Sequence, residues 1–453
     1  MEINKVYLGN NLDVLKTFPD NSIDSVVTDP PYGLGKEPNA NEVLQSWITK
    51  GYHEIKGKGF MGKEWDAFVP QPNFWKEIYR VLKPGGYVLS FAGTRTYDWM
   101  VMAVRLAGFE IRDMIAWLYG SGFPKSRNVG KDIEKINVGG IKNLKKIGLK
   151  KGIKGESGTQ GFSYSKEYVP GVSMGGKQIQ GEIPIYEINN EWQGWGTALK
   201  PALEPIVMAR KPLDGTVAQN VLKYGVGGIN IDECKIIPNM TPGRFPANVI
   251  HDGSDEVVSL FPYTESGKMT NEHQRHTDGS PNGIYGKFDK EHPLSETYGD
   301  SGSAARFFYT AKASKEERNF GLYDFEKDVV TDGKTKPIDN AFNRGETKRK
   351  NIHPTVKPID LMRYLVRLVT PKNGICLDPY LGSGTTAIAC EMEKFSWIGI
   401  ELVPEYAEIA KARIGAVKDY EATLDTKTFI KESIKEDKEK ELGIQNIFDF
   451  IEE

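Results

Sequence analysis

Asp29-Pro30-Pro31-Tyr32 follows directly on an apolar run, Ile23–Thr28. A carboxylate, a carbonyl held between prolines and an aromatic ring together make a compact site for a flat ring that bears an amino group. An exocyclic amino nitrogen is a poor nucleophile because its lone pair is delocalised into the ring. Accepting hydrogen bonds from its N–H groups localises that pair. Asp29 and the Pro30 carbonyl can both accept, and Pro30 and Pro31 fix the backbone so that the two acceptors point one way. Tyr32 can stack on a base that has left its helix. The bland alternative is a Pro-Pro turn that closes a strand, and the flanking Asp and Tyr argue against it.

A second motif, Leu377-Asp378-Pro379-Tyr380-Leu381-Gly382-Ser383-Gly384-Thr385-Thr386, closes another apolar run near the far end. Gly382 and Gly384 allow close backbone approach to a ligand, and the helix that follows offers free N–H groups. A phosphate-binding P-loop would carry Lys before its Ser/Thr. Here Gly384 precedes Thr385, which disfavours an NTPase. Glu401 ends the next apolar run, 23 residues after Asp378 (401 − 378). An acid at about that spacing accepts from ribose hydroxyls in doubly wound folds. Loop and acid suit NAD as well as an adenosyl cofactor, and the Asp29 motif decides for the latter.

The elements that must position these motifs alternate. Lys5–Leu8 is expected to be a strand. Leu12, Leu15 and Phe18 mark a helical face, Ile23–Thr28 is a strand, and Phe74–Leu82 is a helix stopped by Lys83-Pro84-Gly85-Gly86. Tyr87–Phe91 (strand), Tyr97–Leu106 (helix) and Glu110–Leu118 (strand) follow. Toward the end, Ile359, Met362, Leu365, Val366 and Val369 form one helical face. Ile375–Asp378 is a strand, Thr385–Glu393 a helix and Trp397–Glu401 a strand, and Pro404 starts a helix through Ile414. This alternation implies a parallel sheet covered on both faces.

The two motifs, with Val81-Leu82-Lys83-Pro84-Gly85-Gly86, His353-Pro354-Thr355-Val356-Lys357-Pro358 and Trp397–Glu401, resemble the β class of S-adenosylmethionine-dependent DNA amino-methyltransferases, in which the catalytic motif precedes the recognition region and the cofactor loop. The resemblance covers most of Lys5–Leu118 and Asn351–Ile414. It implies a doubly wound Rossmann-like sheet assembled from the N- and C-terminal segments, with an inserted target-recognition region. The expected parts are residues 1–120 (catalytic half), 121–346 (recognition region), 347–415 (cofactor half) and 416–453 (tail). By the same resemblance His353, Thr355 and Lys357 line the methionine end of S-adenosylmethionine, with Lys357 on its carboxylate. Asn10 meets the adenine amino group, and Asp378, Tyr380, Gly382, Ser383, Gly384, Thr385, Thr386 and Glu401 form the rest of that site. Asn10 stands where the family usually has an acid, so it is a neutral and weaker acceptor. Tyr380 replaces the usual Phe, and its ring can pack similarly.

The reaction implied is direct methyl transfer to a flipped base. Cytosine C5 chemistry needs a Cys nucleophile, which in that family usually follows Pro, and none of Cys234, Cys376 and Cys390 does. An Asp-led motif is commoner in adenine-N6 enzymes of the family and a Ser-led one in cytosine-N4 enzymes, so Asp29 favours adenine. The alternatives are cytosine N4, or a catalytically silent DNA-binding regulator on the same fold. Structured RNA is a further possible substrate.

Composition sets bounds on the rest. The chain has 453 residues, 39% of them hydrophobic, and a net charge of −2, so DNA binding does not follow from bulk charge. Charge is uneven, however. Lys125–Lys154 holds ten Lys/Arg against two acids, and Ala416–Glu453 holds six Lys against eleven acids. A basic stripe with Lys125, Arg127 and Lys131 can neutralise phosphates while an acidic tail hides it in the total. Double-stranded DNA is the expected partner, with Trp192, Trp195, Asn282 and Tyr285 as candidate base readers and Gly57–Lys63 as a loop that can close over the base. No metal site is expected: His273 and His276 lie in a polar loop without Cys partners. The absence of an apolar run of transmembrane length and of a CxxC pair suggests a cytoplasmic protein, and the family resemblance implies a bacterial or phage-encoded one. A homodimer is plausible by resemblance, and Gln445–Phe450 resembles short sliding-clamp ligands.

Overall fold

The computed structural model describes residues 1–35, 37–55, 66–122, 126–140, 143–151, 182–236, 243–266, 300–311, 315–326, 328–330 and 347–418. Gly57–Lys63, Lys125, His273, His276, Asn282, Tyr285 and Gln445–Phe450 lie outside these residues. In chain order, β1 (Lys5–Leu8), α1 (Asn11–Leu15), β2 (Ile23–Thr28), α2 (Ala40–Lys50), α3 (Pro72–Val81), β3 (Leu82–Phe91), α4 (Tyr97–Leu106) and β4 (Glu110–Leu118) come first. The middle contributes α5 (Val129–Asn137), β5 (Lys146–Lys151), β6 (Glu182–Tyr186), β7 (Leu203–Arg210), α6 (Val217–Tyr224), β8 (Val249–His251), α7 (Asp255–Val258), β9 (Tyr263–Ser266), β10 (Asp300–Ser303), β11 (Tyr309–Thr310), α8 (Lys315–Asn319), β12 (Asp328–Val330) and β13 (Thr347–Arg349). The chain continues through α9 (Ile359–Val369), β14 (Ile375–Asp378), α10 (Thr385–Glu393), β15 (Ser396–Glu401) and α11 (Pro404–Lys418).

Nine strands make one sheet in the order β1-β15-β14-β2-β3-β7-β4-β8-β11. β7 alone runs against its neighbours. All six residues of β2 are buried, as a strand covered on both faces requires. Its side chains alternate: Val27 joins a core with α9, α10 and α11, and Val26 joins a core with α1, α3 and α4. β14 connects outward to β15 on one side, and β2 leads to β3 on the other. The β14–β2 pair, with Leu377 opposite Val26, is therefore the place where the winding reverses. In such sheets ligands sit beyond the C-terminal ends of the strands at that point.

Most expected elements stand where their periodicity placed them, and the exceptions have local causes. Lys83-Pro84-Gly85-Gly86 does not stop at the helix end. It forms the start of β3, with a register shift against β2 between Ile23 and Ser25. Gly85 takes φ +80°, and a Cβ there would stand 2.2 Å from the Asn220 amide nitrogen. α1 ends at Leu15, yet Phe18 is still buried beyond it. α2 had no counterpart in the pattern. Asn39 caps it and Gly51 ends it in the left-handed region, while only Val43 and Trp47 are buried. The sheet also draws β7, β8 and β11 from within 121–346, so residues of the expected recognition region complete the catalytic sheet.

Candidate active site

Both motifs leave the sheet at its switch point. Asp378 ends β14, and Asp29 follows β2 on the neighbouring strand. Glu401 ends β15, one strand further out. Because β7 runs the other way, its first residues, including Glu204, start at this same edge.

The Asp378 carboxylate is buried and fully engaged. Oδ1 accepts from Thr28 Oγ1 at 2.7 Å and from the Tyr380 amide at 3.1 Å, and Oδ2 accepts from Thr386 Oγ1 at 2.5 Å. Burial pushes its pKa up to about 6, against the pull of those three donors. Its part is to tie β14, β2 and α10 together beneath the loop. Glu401 acts similarly: Oε2 accepts from the Gly382 amide at 2.8 Å and Oε1 from the Val403 amide at 2.9 Å, and burial pushes its pKa up. Beyond Glu401, Leu402 exposes half of its surface.

The loop itself is fixed by close contacts. Gly382 takes φ +55°, and a Cβ there would meet His353 Nε2 at 2.8 Å. A Cβ on Gly384, at φ +85°, would meet the Ala410 backbone at 3.1 Å. Gly384 is the N-cap of α10 and gives it no side-chain cap, so the first-turn amides face the edge without one. Ser383 and Thr385 accept from the fully buried Arg413, at 2.9 and 3.2 Å. Tyr380 packs on Phe74 at 5.1 Å. Asn10 is exposed, and its side-chain oxygen caps α1 by accepting from Leu12 N at 2.9 Å.

His353 rests against Gly382 and, edge-on, against Tyr406 at 4.7 Å. Its Nδ1 pairs with the Thr355 carbonyl, and the buried Asn351 accepts from its amide at 3.0 Å. Burial pushes His353 down to about 4, so the ring is neutral at pH 7, with Nδ1–H donating. Thr355 is exposed.

The Lys357 ammonium lies on the catalytic motif, 2.7 Å from Asp29 Oδ2, 3.0 Å from Tyr32 Oη and 3.3 Å from Glu204 Oε2. It sits 4.7 Å over the Phe91 ring. The physical reason is charge: two carboxylates at the strand ends outbid solvent for the nearest cation. Burial alone would lower the Lys357 pKa, but Asp29 and Glu204 hold it above its ordinary value. Tyr32 Oη donates toward Asp29 Oδ1 at 2.8 Å and is also 3.2 Å from Glu204 Oε2. Burial and the two carboxylates push the Tyr32 hydroxyl far up, so it stays protonated. Pro30 is buried and Pro31 half-buried. Gly33 takes φ +64°, where a Cβ would stand 2.9 Å from the Phe68 backbone, and Thr96 Oγ1 donates to the Tyr32 carbonyl at 2.5 Å, which fixes the turn.

In the middle region Trp192 and Trp195 form an exposed edge-to-face pair at 5.1 Å, beside the start of α5. Arg127 is exposed and paired with Asp132 at 2.8 Å, and Lys131 lies 4.3 Å over Tyr186. Among the described residues no cluster of three or more His, Cys, Asp or Glu could hold a metal ion, and no helix is long and apolar enough to cross a membrane.

The chain is 21% identical over 438 residues to the type II methyltransferase M.HindIII of Haemophilus influenzae, across 92% of this chain and 97% of that one. A shorter stretch of 112 residues is 35% identical to the type II methyltransferase M2.MboI of Moraxella bovis, across 24% of this chain and 41% of that one. Among solved structures, the PvuII DNA methyltransferase (cytosine-N4-specific) aligns over 96% of this chain and 92% of its own, with 12% identity and a TM-score of 0.40. The N6/N4 Mtase family model, a DNA methylase family, matches residues 23–412, from the start of β2 to within α11. A match of that extent, spanning both strand-end motifs, makes this chain a member of the N6/N4 DNA methylase family, the S-adenosylmethionine-dependent amino-methyltransferases of DNA.

Proposed function

We propose that this chain is a site-specific DNA methyltransferase that transfers a methyl group to the N6 amino group of adenine. The observation that carries the reading is Asp29, a carboxylate at the switch point one strand from the glycine loop, held beside a stacking ring. Asp29 accepts from the amino group of the flipped base, and the Pro30 carbonyl accepts its second N–H. The Tyr32 ring supports the base plane. Together they localise the nitrogen lone pair and aim it, and positioning of this kind supplies much of the rate. Asp29 need not be a strong base, because the amine sheds its proton after the bond has formed.

The residues at the β14 and β15 ends suit S-adenosylmethionine. The uncapped α10 start, the glycine turn and the Glu401 rim can take the cofactor's polar groups, and the exposed Leu402 offers an apolar face. His353 and Thr355 border the loop, and Asn10 stands beyond β1. Bound there, the cofactor supplies an electrophilic methyl group on a sulfonium. The exposed Trp192–Trp195 pair, with Arg127 and Lys131 nearby, supports DNA contact through the middle region.

Mass spectrometry of nucleosides from unmethylated duplex DNA incubated with the protein and S-adenosylmethionine tests this reading. N6-methyladenine is expected. N4-methylcytosine would overturn the choice of base and keep the site, and no methylated nucleoside from cofactor-binding protein would overturn DNA as the substrate.

A further inference from the structure

Asp29 has two oxygens, and both are occupied within the protein. Tyr32 Oη lies at 2.8 Å from Oδ1, and Lys357 Nζ at 2.7 Å from Oδ2. Each oxygen can accept a second hydrogen bond, but an incoming amino group meets a carboxylate whose charge is already shared with a cation, and it is held more weakly while Lys357 stays in place. Moving Lys357 off Asp29 would strand a buried ammonium unless a second anion takes it. That anion is present. Glu204 Oε2 is 3.3 Å from Lys357 Nζ and 3.2 Å from Tyr32 Oη, so one oxygen is within reach of both donors that engage Asp29. Its backbone is firmly placed: Glu204 pairs opposite Trp117 of β4, and the Ala92 amide beyond β3 donates to the Pro205 carbonyl at 2.9 Å.

We propose that Glu204 is a positioning residue for methyl transfer, which draws the Lys357 ammonium and the Tyr32 hydroxyl away from Asp29 when the target amino group arrives. The inference rests on the amino-methyltransferase reading above. Each donor has two carboxylates within reach, and the handover exchanges partners without creating an unpaired group. No bond other than a hydrogen bond changes. Glu204 acts through Lys357 and Tyr32 and does not itself meet the base.

The test uses the full chain. Glu204→Gln keeps the shape and one acceptor oxygen but loses the charge that competes for Lys357. Expected are an S-adenosylmethionine Kd within about threefold of the parent and a kcat on duplex DNA reduced at least about tenfold. Adding Lys357→Met to Glu204→Gln should then cost little further, because the cation that Glu204 must remove is gone. A kcat within about threefold of the parent in Glu204→Gln, or losses for the two substitutions that simply multiply, would overturn the proposal. Glu204→Asp, which keeps the charge, should recover part of the kcat, and an equal loss in the Gln and Asp variants would also count against it. All values are ratios to an active parent, so a parent that transfers no methyl group would sink the functional reading itself and not this one.

Discussion

Asp378 and Asp29 leave adjacent strands at the same edge, and they are held in opposite ways. Asp378 is buried and accepts from two hydroxyls and a backbone amide that anchor it to β2, α10 and its own turn. Asp29 accepts from a lysine and a tyrosine, both of which have a second carboxylate within reach. The first arrangement is scaffolding, in which donors are fixed and exchange would leave buried groups unpaired. The second is poised for exchange. In this fold, the partners of a strand-end acid tell its role better than its position does.

The contrast can be broken by substitution. Asp29→Ala should lower kcat for transfer of labelled methyl to duplex DNA by about 10²–10⁴-fold, and turnover near the parent's would remove Asp29 from the chemistry. Asp378→Ala leaves three donors without their acceptor, so the folded state should lose about 3 kcal/mol in denaturant unfolding. A loss well under 1 kcal/mol would show that Asp378 is not the tie between β14, β2 and α10.

Asp378→Asn sharpens the point through pH. The Asp378 pKa is pushed up to about 6 by burial, above the value of about 3.9 for an unfolded chain. The folded chain therefore binds that proton more tightly. Its stabilising contribution is complete below about pH 4 and lost as pH rises through about 6. Asn stands in for the protonated acid at every pH. Between pH 5 and 7 the parent should lose stability relative to Asp378→Asn, by on the order of 1 kcal/mol. A difference that stays flat with pH would contradict the assigned cause. The smallest effect belongs to Tyr380→Phe, where the ring contact with Phe74 remains. The hydroxyl's hydrogen bond with the Asn11 side chain is lost, so unfolding should cost about 0.5 kcal/mol, and a loss above about 2 kcal/mol would give the hydroxyl a larger role than that one bond.

Much of this edge was legible in the sequence because its signals are local. The all-apolar β2 and the glycine loop each carry their own pattern, so the strand ends at Asp29, Asp378 and Glu401 could be placed from the residues alone. Lys357 was visible as a site residue, but its partner was not. A lysine before a helix does not declare which anion it will meet, and here the nearest is Asp29, 328 residues away. Glu204 was missed altogether. It lies 172 residues from Tyr32 in a stretch of weak periodicity, and only the reversed direction of β7 brings it to the catalytic edge. α2 escaped because it buries little, so its apolar stripe is thin, although its Asn39 cap and Gly51 stop were on the page.

The division of the edge into a fixed half and an exchanging half is tested most directly by calorimetric titration of S-adenosylmethionine into Asp29→Ala and Gly382→Ala side by side. Asp29→Ala should keep the parent's Kd within about threefold. Gly382→Ala forces a Cβ into the left-handed region, 2.8 Å from His353 Nε2, and should weaken binding about tenfold or more. Weak binding by Asp29→Ala, or parent-like binding by Gly382→Ala, would contradict the division.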